Sequence, residues 1–196
     1  QLQDVTTLDG LCNMLGDDDS WVRQQTAEAL MRFDSPVVDD TLVRFLKQDN
    51  PITRSWSLHV LANLERSDST LDIIPILEDE HRGVRLSAVR ALYRMGQNTA
   101  IAPVRMFIRD PDENLRGAAA CALGALGDIE SVPALCFLLT DTKSWVRRNA
   151  AWALLQLGEG IRLVASMRID EDEGVRLFAA NAQRIIDAQN VETTRG

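Results

Sequence analysis

The stretch Asp141–Gly158, DTKSWVRRNAAWALLQLG, decides the fold. An aspartate closes a short apolar segment, a Val-Arg pair opens a second one, and the second ends on Leu-Gly. Counted from Arg147, small or apolar residues stand at offsets of three, six, seven and ten: Ala150, Ala153, Leu154 and Leu157. With Val146 they fall on one stripe of a helix of about 3.6 residues per turn, and the alanines let a neighbouring helix come close.

The same phrase recurs along the chain. Its arginine appears as Arg23, Arg54, Arg85, Arg116, Arg147 and Arg176, in steps of 31, 31, 31, 31 and 29 residues. Six residues before it stands Asp17, Asp79, Asp110, Asp141 or Asp170, with Gln48 in that place in the second unit. Seven past it stand Leu30, Leu61, Leu92, Leu123 and Leu154. A second apolar row lies twelve before it, at Leu11, Leu42, Ile73, Val104, Leu135 and Val164. Each unit therefore reads as two antiparallel helices, A and then B, joined by an acidic turn. Turn signals separate the units: Asp34–Pro36, Arg66–Ser69, Gly96–Asn98, Gly127-Asp128 and Gly158–Gly160. Ser35-Pro36 and Ser131–Pro133 read as a capping serine followed by a first-turn proline, while Pro75 and Pro103 sit deeper in A helices and should kink them.

One such pair cannot bury its own apolar face, but a stack of them can. The expected architecture is an all-α, right-handed α-solenoid (a superhelix) of six helix pairs in a single domain, 1–196. Its repeats run approximately over 1–35, 36–66, 67–97, 98–128, 129–158 and 159–190, with 191–196 as a tail. The sixth unit reads as a C-terminal cap, because Gln183 replaces the offset-seven leucine and Arg168 replaces an apolar residue of the A helix.

The recurrent D-x-D-x-x-V-R-x-x-A-A-x-A-L-x-x-L-G phrase resembles the HEAT-repeat family in its short, phycobilisome-lyase-type form, over residues of about 8 to 188. The resemblance implies that the B helices line a concave face. It also implies a range of activities: scaffolds, lyase subunits, hydroxylases and DNA glycosylases all carry such repeats.

Composition narrows that range. The net charge is −8, so a basic footprint for nucleic acid is lacking and no nucleic-acid partner is expected. No apolar run reaches the ~18 residues of a membrane span. A cytoplasmic location is expected, an upstream tether or signal aside. Three cysteines, Cys12, Cys121 and Cys136, have no metal-like spacing and suggest a reducing compartment. HEAT-like deoxyhypusine hydroxylases bind two irons through repeated His-Glu pairs. Here a reversed Glu80-His81 occurs once and His59 has no acidic neighbour, so neither metal nor cofactor is expected. No nucleophile-and-base set is visible, and no catalytic residue is assigned.

Three constellations remain. The six arginines and their aspartates read as a structural ladder, each guanidinium forking onto an aspartate of its own or the next turn. The acidic turns read as caps, with Asp19, Asn50, Asp112 and Asp172 at one aligned offset before the B helices. Four tryptophans, Trp21, Trp56, Trp145 and Trp152, lie on B helices away from the apolar stripe. Trp21 and Trp145 share an offset that also suits plugging the gap between repeats. The fourth unit carries the small residues Gly117 and Cys121, while its neighbours carry Arg90 and Arg94 on one side and Arg148, Asn149 and Trp152 on the other. The expected site for a protein or peptide partner is a notch formed by these seven residues, with Trp56 on the same face. The expected function is that of a scaffold or adaptor. The alternative is a bilin-lyase-like subunit or chaperone that holds a tetrapyrrole or its target, and recognition of DNA lesions is a weaker third.

Overall fold

The computed structural model describes residues 5–33, 35–64 and 69–193. Asp34 and the Arg66-Ser67-Asp68 part of the second turn signal lie outside them. The described residues contain twelve α-helices and no strand.

The chain divides into two compact units, Gln1–Ala100 and Ile101–Gly196. The first holds α1 (Val5–Asn13), α2 (Ser20–Met31), α3 (Pro36–Phe45), α4 (Pro51–Leu61), α5 (Thr70–Ile73) and α6 (Arg82–Met95). The second holds α7 (Ile101–Arg105), α8 (Glu113–Ala125), α9 (Val132–Leu138), α10 (Ser144–Gln156), α11 (Ile161–Ser166) and α12 (Glu173–Thr193). Odd numbers are A helices and even numbers B helices. Within the first unit α2 packs on α4 and α4 on α6; within the second α8 packs on α10 and α10 on α12. Each unit is thus a stack of three helix pairs. Helix α12 continues to Thr193, into the segment read as a tail.

The rows legible in the sequence form the core. The offset-seven leucines Leu30, Leu61, Leu92, Leu123 and Leu154 are all fully buried, and so are Leu42, Ile73, Val104, Leu135 and Val164 on the A side. At offset three, Ala88, Ala119, Ala150 and Ala179 are fully buried, which lets B helices approach one another. At the last repeat Arg168 is exposed and the Gln183 amide donates to Asp187 on its own helix at 2.9 Å.

Most A helices are short and tighten into a 3₁₀ turn: Met14–Gly16, Ile74–Glu78, Met106–Arg109 and Met167–Ile169 follow α1, α5, α7 and α11. Pro75 falls within one of these, where its missing N–H breaks the α-helical ladder, and α7 passes into 3₁₀ geometry three residues after Pro103. Ser131 does not cap its helix through its hydroxyl, which instead donates to the buried carboxylate of Asp128.

Candidate functional site

The turn between A and B is built first. At five of the six turns the ladder aspartate folds back so that its carboxylate accepts the amide two residues on, as Asp17 does from Asp19 at 2.8 Å and Asp141 from Lys143 at 2.9 Å. The aligned residue two further along caps the B helix: Asp19 accepts from the Trp21 amide, Asn50 from Ile52 and Asp112 from Asn114, all at 2.8–2.9 Å, and Asp172 from Val175 at 3.0 Å.

The arginine then ties the turn shut. Nη1 of Arg23, Arg54, Arg85, Arg116, Arg147 and Arg176 donates to the carbonyl six residues back, at 2.6–2.9 Å. The other edge of the guanidinium reaches the next repeat. Arg54 meets Asp79 at 2.7 and 2.9 Å, Arg116 meets Asp141 at 2.7 and 3.0 Å, and Arg147 meets Asp170 at 2.8 and 2.8 Å. Arg23 differs. Gln48 stands where its aspartate would, its Nε is buried without a hydrogen-bond partner among the described residues, and its guanidinium lies 5.8 Å from the centre of the Trp56 ring.

Several of the paired carboxyls sit below the usual range. The bonds from Arg105 and Arg147 hold Asp128 and Asp170 down; for Asp79 and Asp141 burial pushes upward, and the arginine and backbone donors more than offset it. A carboxyl depressed in the folded state stabilises the fold above its unfolded value of about 3.9 and stops doing so as pH falls through the folded value. The midpoint of thermal unfolding is therefore expected to change little from pH 7 to 5 and to drop steeply below about pH 4; an unchanged midpoint at pH 3 would contradict this linkage.

With the ladder arginines engaged, the remaining B-face groups stand out. In the first unit, Arg90 and Arg94 on α6 face Ser55 and His59 on α4 across a groove of about 130 Å³. Arg90 is exposed, and Arg94 donates to the side-chain oxygen of Asn63. Trp56 is half-buried between the Arg23 guanidinium and the edge of His59, whose ring centroid is 5.3 Å away. Burial and the charge of Arg94 together push His59 below its ordinary pKa.

In the second unit the small residues do not form an open floor. Gly117 is buried, and a Cβ built on it would lie 2.1 Å from Cζ3 of Trp145, so that ring occupies the space. Asn149 reinforces the contact by donating to the Gly117 carbonyl at 3.1 Å. One repeat on, the Arg148 side chain covers Gly174 in the same manner, with Cδ 2.6 Å from a built Cβ. Trp152 and Cys121 are half-buried, and Trp21 is 66 % exposed. The sequence gives Trp145 an offset suited to plugging the gap between repeats, but that reading did not pair it with Gly117. The signal was present: a glycine just past one arginine, and a tryptophan two before the next.

Burial, with the Asp9 charge adding to it, pushes the Cys12 thiol up to about 12, and burial also raises Cys136, so neither is poised as a thiolate nucleophile. Among the described residues no three His, Cys, Asp or Glu side chains are grouped to hold a metal ion, and no helix is long and apolar enough to cross a membrane.

A family model for HEAT repeats matches residues 1–62, 40–111 and 106–184. The chain belongs to the HEAT-repeat family. Solved structures with the same fold include the YibA protein of E. coli, at 20% identity and a TM-score of 0.77 over 97% of this chain and 76% of that one. They also include the complex of CpcE and CpcF of phycocyanin lyase from Nostoc sp. PCC7120, at 21% identity, a TM-score of 0.66 and coverage of 88% and 74%. A designed armadillo repeat protein in complex with the peptide (KR)4 is similar over 90% of this chain and 98% of its own, at 16% identity and a TM-score of 0.59. No curated protein matches. At these identities the HEAT-repeat likeness to solved structures is one of fold.

Proposed function

We propose that this HEAT-repeat chain is a scaffold that binds a partner protein or peptide along its B-helix faces. One observation carries the reading. The ladder consumes one arginine per repeat, yet Arg90, Arg94 and Arg148 stand outside it, together with the half-buried rings of Trp56 and Trp152. Aromatic and arginine side chains concentrate binding energy when a partner covers them. The similar folds seen in a two-subunit lyase complex and in a designed peptide complex support the same use of the repeats.

The test is a captured partner and two substitutions. Trp152→Ala and Arg90→Glu are each expected to weaken its binding about tenfold, or about 1.4 kcal/mol, with unchanged circular dichroism. Phe137→Ala, an exposed position on α9, serves as the control and should bind normally. Full affinity in both B-face variants would move the site elsewhere. Gly117→Trp is unsuitable as a blocking substitution, because Trp145 already fills that space.

A further inference from the structure

We infer that the groove between α4 and α6 is an oxyanion site that takes a phosphorylated side chain of a bound peptide. This rests on the reading that B-helix faces receive the partner, and it specifies what one of them receives.

The groove is built from two facing helices. On α4, Ser55 and His59 are one turn apart; on α6, Arg90 and Arg94 are one turn apart and face them. Leu58 and Ala91 close its floor, and both are buried. Among the described residues no carboxylate lines it, although the chain carries 29 acidic against 21 basic side chains. The contrast with the ladder is instructive. Arg54, Arg116 and Arg147 each have a bidentate aspartate, whereas Arg94 is held by the neutral amide of Asn63, which orients the guanidinium without cancelling its charge. The depressed basicity of His59 follows in part from that surviving charge.

Size and donor count select the ligand. A volume of about 130 Å³ is far below the ~300–1,000 Å³ of pockets that enclose a whole small molecule, but it admits one tetrahedral group. Two arginines, a histidine and a serine line the groove from both walls. A carboxylate would neutralise one of the two arginines and offers two coplanar oxygens. A phosphate monoester carries a charge of about −1.5 to −2 with three acceptor oxygens, which matches two arginines and donors on opposite sides. Ser87 Oγ donates to the Gly83 carbonyl at 3.0 Å and adds no donor.

The site contains its own reporters. A bound dianion would favour the imidazolium form of His59, and Trp56 stands edge-on to that ring. The experiment follows the two histidine Cε1–H signals by NMR while pH is varied, in inorganic phosphate and in chloride of equal ionic strength. The expected result is an upward shift of the His59 midpoint in phosphate, with quenching of Trp56 fluorescence and no shift at His81. Arg90→Ala and Arg94→Ala should each abolish it. A second arm adds a short phosphoserine peptide and its serine counterpart, of which only the first should shift His59. An unmoved His59, a shift that survives both arginine variants, or an equal shift in acetate would overturn the site as drawn. The two readings fail separately. A captured partner that depends on Trp152 but binds equally after phosphatase treatment refutes the phosphate site and leaves the scaffold reading standing. A phosphate response with no B-face partner does the reverse.

Discussion

Gly124→Ala is expected to destabilise the second unit by about 3 kcal/mol, although alanine is the better helix former by ~1 kcal/mol. A Cβ on Gly124 would lie 2.5 Å from the Cα and 2.6 Å from the Cβ of Ala153, so the obstacle is the backbone of α10 itself. Helices α8 and α10 would have to part, and the buried row of Ala119, Leu123, Ala150 and Leu154 would lose contact with them. Gly117→Ala should cost less, because what its Cβ meets is the far end of the Trp145 ring. The distinction is measurable by urea denaturation: Trp145→Ala should relieve Gly117→Ala and leave the cost of Gly124→Ala unchanged. A neutral Gly124→Ala would mean that the two helices are not in backbone contact.

Arg147→Ala is expected to cost about 3 kcal/mol, near the lower end for breaking a buried ion pair. Arg147 and Asp170 are 9% and 11% exposed at their side chains. The truncation would strand that carboxylate and release the Asp141 carbonyl, to which Arg147 donates at 2.9 Å. Arg176→Ala should cost less than about 1 kcal/mol, since Arg176 is exposed and, among the described residues, bonds only the carbonyls of Asp170 and Glu171 in its own turn. Equal losses in the two variants would show that the bond to the next repeat carries no weight.

The fold was legible because its information is local and repeated. A 31-residue step keeps Leu61, Leu92 and Leu123 in phase, and a single helix pair leaves that row uncovered, so stacking is the way to bury it. The surface was less legible. Gly117 reads as an opening in a list of side-chain sizes, but what occupies the opening depends on the direction of a ring in the next repeat. Arg105 is on the A helix α7 and pairs with Asp128 in a B–A connection, so the pair lies outside the B-helix arginine series that the repeat reveals. The cation–π contact of Arg23 with Trp56 likewise arises from a missing partner, Gln48, and not from a motif.

The hold of each ladder arginine on its own turn also governs where the chain can change length. One edge of the guanidinium measures six residues back to its own turn, so the A–B connection cannot gain or lose a residue without letting go of that carbonyl. The last step of the series, 29 residues in place of 31, tests this rule within the chain. Asp170 and Arg176 are still six apart, and Arg147 still meets Asp170 through two bonds of 2.8 Å. The two-residue difference lies on the other side, between α10 and Val164 of α11. Insertions, tags and grafted loops therefore belong at the B–A connections, where the chain's own repeats already differ in length.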